Sequence, residues 1–205
     1  MLLISKYIRN MKKDTSVDQF CSGITEYIHS HYSLIPFSKT ELPPEERPTA
    51  SAVIFSRLRR EVWMIGDCQA LIGETLYQNP KPDEARLAQQ RADYMHQHPG
   101  EEGRPQILPA LIQSMQKQSI DYSVIDGTTI PRRHVKVIEL DFQPWTIVLA
   151  SDGYPFLEPT LEESEKRLAD QLARDPLCID TFKATKPLMT GNISFDDRTY
   201  IRFNA

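Results

Sequence analysis

The chain has 205 residues, 40% hydrophobic and 25% charged, a globular composition long enough to bury a core without disulfide or metal staples. Its 24 lysines and arginines against 28 aspartates and glutamates give a net charge of −4, which is not the balance of a nucleic-acid binder. It has no G-x-x-x-x-G-K or G-x-G-x-x-G phosphate cradle. Cys21, Cys68 and Cys178 are too scattered for a disulfide framework or zinc knuckle, and the expectation is a reducing, cytoplasmic setting.

From Leu2 to about Tyr32 the apolar residues recur at three- and four-residue steps, so two helices are expected, broken near Asp14–Ser16. The first interleaves Leu3, Ile4 and Ile8 with Lys6 and Arg9. This is the pattern of an amphipathic helix lying on a core, with a membrane-surface helix as the alternative; it is not that of a signal peptide. No apolar run approaches the ~18 residues that span a bilayer, and no membrane partner is expected. Residues 34–48, with Pro36, Pro43, Pro44 and Pro48, read as an irregular link.

Strands are expected over 50–58, 61–65 and 69–73. The short turns between them predict an antiparallel meander, because parallel neighbours need a long crossover. Arg57, Arg59 and Arg60 mark a solvated hairpin tip, with phosphate docking as the alternative. Helices follow over 79–98 and about 107–115. Further strands are expected over 121–125 and 135–140, and 144–150 is apolar enough to be a central strand buried on both faces. Thr160 and Glu163 are spaced as a capping box for a helix to about Arg174 with Leu161, Leu168 and Leu172 inward, and residues 199–203 alternate as a last strand. The order is that of an α+β fold in one domain, 1–205: a helical segment over 1–33, the link over 34–48 and a core over 49–205.

The histidine pairs His29/His31 and His96/His98 lie in helical segments. There an i, i+2 spacing turns the rings about 200° apart, so neither pair can share a metal. No Ser or Cys sits in a glycine-flanked elbow, and no catalytic residue is assigned. The aspartates carry more. Asp152, in Leu149-Ala150-Ser151-Asp152-Gly153, ends the apolar strand and precedes a glycine that permits a sharp turn; a hard divalent cation needs a carboxylate held in such a place. Asp196 and Asp197 stand side by side before the last strand, and two adjacent carboxylates are costly unless solvated or bound to a cation. Asp67 ends another strand in Gly66-Asp67-Cys68-Gln69. Each alone reads more simply as a turn aspartate accepting local amides; it is the three at strand ends together that point to a cation.

Thr49-Ala50-Ser51-Ala52 followed by Gly66-Asp67-Cys68-Gln69 resembles the Gly-Thr-Thr-Ala strand and Gly-Asp-Ser-Arg hairpin of the metal-dependent serine/threonine protein phosphatases (PPM, or type-2C). Leu149-Ala150-Ser151-Asp152-Gly153 resembles the family's strand-to-loop motif, and Asp196-Asp197-Arg198-Thr199 its closing strand. The resemblance covers about 49–203. It implies an αββα sandwich of two antiparallel sheets flanked by helices, here without the usual first strands. It also implies Mn²⁺ or Mg²⁺ as cofactor, a phosphoprotein as partner, Asp152 and Asp196 as metal ligands, and Asp67, Asp197 and Gly153 as neighbours of the site or of an auxiliary metal.

The family's first metal motif, Asp-Gly-x-Gly-Gly ahead of the Gly-Thr-Thr-Ala strand, has no counterpart before Thr49, so weak or absent catalysis is expected. A catalytically inactive binding or regulatory domain is the alternative, and an N-terminal-nucleophile hydrolase led by Thr49 a minor one. The resemblance further implies that the reading frame continues upstream of Met1. Otherwise the uncovered sheet edge invites a homo-oligomer.

Overall fold

A computed structural model describes residues 2–33 and 41–205. The expected break near residue 14 separates helix α1 (Leu2–Asn10) from helix α2 (Val17–Tyr32). Ser16 caps α2. Its hydroxyl accepts from the Gln19 amide (3.2 Å) while the Gln19 side chain accepts from the Ser16 amide (2.9 Å), so two end amides are satisfied at once. Part of the proline-rich link, residues 34–40, lies outside the described residues, and Pro44–Glu46 forms one 3₁₀ turn.

Among the described residues seven strands form two antiparallel sheets: β1 (Ala52–Ser56), β2 (Glu61–Ile65), β3 (Gln69–Ile72), β4 (Thr75–Gln78), β5 (Lys136–Glu139), β6 (Thr146–Ala150) and β7 (Tyr200–Asn204). One sheet has the order β1-β2-β5 and the other β4-β3-β6-β7. Three further helices complete the described chain: α3 (Glu84–Gln97), α4 (Arg104–Met115) and α5 (Leu161–Arg174).

Strand alternation sorts the side chains into layers. Val62 and Met64 of β2 meet Ala70, Ile72, Ile147 and Leu149 of the other sheet in a shared core. Trp63 and Ile65, pointing the opposite way, pack on Ile4, Phe20 and Ile24 of the first two helices. Leu71, Val148 and Ala150, on the far face of the second sheet, pack on Leu168 and Leu172 of α5. Sheet thus lies against sheet, with helices on both outer faces. Burial on both sides is why β2 and β6 read as unbroken apolar runs.

Several expectations need correction. The first three strands do not form one meander: β1 and β2 pair, but β3 joins the other sheet. The chain changes sheets at Gly66, whose φ of +76° suits glycine. A Cβ there would lie 2.1 Å from the Ser51 hydroxyl oxygen. Residues 121–125 are not a strand; Ile125 makes one antiparallel bridge to Ala50. Side chains take over the bonding: the Ser123 hydroxyl accepts from the Gly66 amide and donates to the His134 carbonyl, and buried Asp126 accepts from the Thr128 amide and hydroxyl. Strand β4 follows a tight turn at Gly73-Glu74 and had no periodic signal. Thr160 accepts from the Glu163 amide, but its hydroxyl donates to the Glu163 carboxylate, so the reciprocal half of the box is missing. Leu161 is 49% exposed instead of inward, because it opens the helix ahead of the stripe that reaches the sheet.

Candidate functional site

Strand pairing brings the three strand-end aspartates to one end of the second sheet. Gln69 opposes Ala150, and Ala150 opposes Tyr200. Asp67, just before β3, Asp152, just after β6, and Asp196, ahead of β7, therefore emerge together. They line a cleft of about 210 Å³ that also takes Glu84 from the first turn of α3 and Lys186.

Asp67 is buried. It accepts from the Ser51 hydroxyl at 2.5 Å and forms an ion pair with Lys81. Burial alone would raise its carboxyl pKa, but the Lys81 charge and the bonds from Lys81 and Ser51 outweigh that and hold it below the usual range. Burial likewise disfavours the Lys81 ammonium, and Asp67, with Glu84 and Asp152 behind it, reverses the balance so that its pKa rises. Lys186 pairs with Asp196 at 2.8 Å.

Asp152 differs. Its carboxyl is pushed up to about 7, first by desolvation and then by repulsion from Asp67 and Asp196, with Lys81 offsetting only part of this. Glu84 is raised for the same reasons, burial leading. Lys81 is held by Asp67 and Lys186 by Asp196, and Lys183, which also lines the cleft, donates to Gln89, so neither Asp152 nor Glu84 has an ion-pair partner of its own among the described residues. Among the described residues no three or more His, Cys, Asp or Glu side chains stand where they could hold a metal ion together.

Asp197 lines a neighbouring groove and not this cleft. Its amide donates to Asp196 Oδ1 (2.9 Å), and its carbonyl accepts from the Ser151 hydroxyl (3.3 Å). Gly153 acts through its missing side chain. A Cβ at this position would lie 2.3 Å from the Asp197 carbonyl oxygen, so only glycine lets the Asp152 turn dock against the segment that carries Asp196. The Gln69 amide donates to the carbonyls of Ser151 (3.1 Å) and Tyr154 (2.8 Å), bracing the same turn.

The sequence reading missed Lys81, Glu84, Lys186 and Gln69. None carries a spacing signal. Lys81 stands between two prolines, Glu84 reads as an ordinary first-turn acid, and Lys186 is in a loop. The three thiols are buried and pushed up by that burial, which leaves them poor nucleophiles. Thr49 lines a separate small cavity with Lys81 and Glu84, but the Lys81 ammonium is engaged by Asp67. His29, His31, His96 and His98 all sit on or at the end of helices; His96 pairs with Asp180 at 2.8 Å. No helix among the described residues is long and apolar enough to cross a membrane. Comparison with models of protein families, with curated proteins and with solved structures finds no match.

Proposed function

We propose that the chain is a phosphatase-like domain of type-2C character that receives a phosphoserine or phosphothreonine at the Asp152 cleft and hydrolyses it weakly or not at all. The observation that carries this reading is the meeting of Asp67, Asp152 and Asp196 in one cleft at one end of two packed antiparallel sheets. The motifs around these residues are the ones that resemble the phosphatase family.

Asp152 has no cationic partner of its own and is crowded by Asp67 and Asp196, so a hard cation would compete with its proton, and Asp152 with Asp196 would hold one ion largely through waters. The residues do not supply the bridging carboxylate of a two-ion centre. A bound ion would polarise a phosphate oxygen and acidify a coordinated water. The chain's own residues do the positioning: Ser51 and Lys81 fix Asp67, and Gly153 and Gln69 set the height of the Asp152 turn. Lys186 holds Asp196 in place, and an ion at Asp196 would have to compete with that pair.

The second reading, an inactive binding domain, is favoured by one observation: lysine ammonium groups already neutralise Asp67 and Asp196. Two measurements separate the readings. Mn²⁺ in the millimolar range, typical of weak oxygen-ligand sites, is expected to raise Tm in the native chain and not in Asp152→Asn. An equal rise in both would remove the ion from this cleft. Mn²⁺-dependent hydrolysis of p-nitrophenyl phosphate, lost in Asp152→Asn, supports the catalytic reading. A Tm response without turnover supports the binding one.

A further inference from the structure

Beside the cleft runs a larger groove of about 740 Å³, between the start of α5 and the loop that leads to β7. The two adjoin, since Tyr154, Lys186, Phe195 and Asp196 line both. Its walls carry two apolar side chains that the fold leaves outside: Ile193 is 82% exposed and Leu161 49%. Its floor is aromatic, with Tyr154 and Tyr200 edge to face at 6.0 Å.

The groove's cations are committed. Arg198 makes two bonds of 2.8 Å to Glu165, and Lys186 pairs with Asp196. That leaves Asp197 as the lining charge without an ion pair among the described residues, and Glu162 and Glu163 in the first turn of α5 add to the same sign. Ser194, which also lines the groove, is 5% exposed and has a buried hydroxyl with no hydrogen-bond partner among the described residues. A buried hydroxyl left unmatched is costly unless a ligand group or water completes it.

We infer that this groove seats the polypeptide flanking the phosphorylated residue, and that it selects a flank carrying a large apolar side chain and a lysine or arginine. The inference rests on the phosphatase-like reading for what enters the cleft. The groove's own chemistry sets the flank. The apolar side chain lies between Ile193 and Leu161, the cation lies toward Asp197, and the backbone passes Ser194.

Fluorescence anisotropy with three labelled peptides tests this on the full chain with Mn²⁺ present. The first has phosphoserine with leucine and arginine on both sides, the second has phosphoserine with serine and glutamate there, and the third is the first without its phosphate. The first is expected to bind about tenfold more tightly than the second, the scale of one charge contact and one apolar contact at a partly exposed surface. The preference should shrink as salt is raised.

In the double variant Leu161→Ser, Ile193→Ser the apolar part of the preference should be lost and only the salt-sensitive part due to Asp197 should remain, with the Mn²⁺ response of Tm unchanged. Both side chains are exposed, so the variant is expected to fold. Equal binding of the first two peptides by the native chain, or an undiminished preference in the double variant, overturns the proposal. If the first and third peptides bind equally, and both better than the second, the groove stands as a peptide site and the phosphatase-like reading falls.

Discussion

Between about pH 4 and pH 7 the Asp152 carboxyl keeps its proton in the folded chain and releases it in the unfolded one, since the ordinary aspartate pKa is about 3.9 and burial with its acidic neighbours moves it to about 7. The folded state then binds more protons than the unfolded state, so stability is fully present below pH 4 as far as this group is concerned and falls as pH rises through the window. Raised Glu84 acts with the same sign. Asp67 acts oppositely, but its depressed pKa confines that loss to more acidic solutions, outside the window. In chelator, urea midpoints should therefore be lower at pH 7.5 than at pH 5, and Asp152→Asn should remove most of the difference. A midpoint that is higher at pH 7.5 would contradict the cleft electrostatics. Gly153→Ala tests the geometry at the same scale. Its methyl group would meet the Asp197 backbone, which cannot swing aside as a flexible side chain does, and overpacking of this kind costs about 1–3 kcal/mol in chemical denaturation.

At the scale of elements, β6 should be the most protected strand in hydrogen exchange. It is flanked on both sides, by β3 and β7, and its side chains are buried on both faces. Leu149→Ala removes a buried side chain from the core between the sheets and should cost about 2–5 kcal/mol, read from urea unfolding. A cost under about 1 kcal/mol would place Leu149 in a site able to collapse, and β6 would then be a poor platform for Asp152. This strand was legible because burial on both faces leaves an unbroken apolar run. The α2 cap is written in the sequence too, since Ser16 and Gln19 have capping-box spacing, although Gln19 precedes only one apolar residue before Cys21 and the signal is short. Residues 121–125 misled for the opposite reason. Tyr122, Val124 and Ile125 are apolar and buried, but Ser123 and Asp126 anchor the segment through side-chain bonds, so it needs no ladder.

For the whole molecule, β1 and β7 each pair on one side only among the described residues. An apolar groove of about 640 Å³ runs past them, lined by Ile4, Ile8, Val53 and Ile201. Open edges beside apolar side chains are a template for further strand pairing. Light scattering is expected to show association that grows with concentration. Ile201→Lys, at a site 54% exposed, should suppress it with little change in Tm. Association unaffected by this change would locate the contact elsewhere.

The sequence by itself determined the periodic elements and the placing of Asp67, Asp152 and Asp196 at strand ends. Periodicity records how each segment is buried, and the turn residues beside it record where it stops. Only the tertiary structure decided which sheet β3 joins, because a strand's pattern states that it is covered without naming its neighbour. Only the tertiary structure brought Glu84 and Lys186 into the cleft and Lys81 against its Asp67. Ionic environment depends on distances between segments far apart in the chain, and no local pattern encodes them; Asp152 thus reads in sequence as a candidate cation ligand at a strand end, while the burial and acidic neighbours that raise its pKa are visible only in the fold.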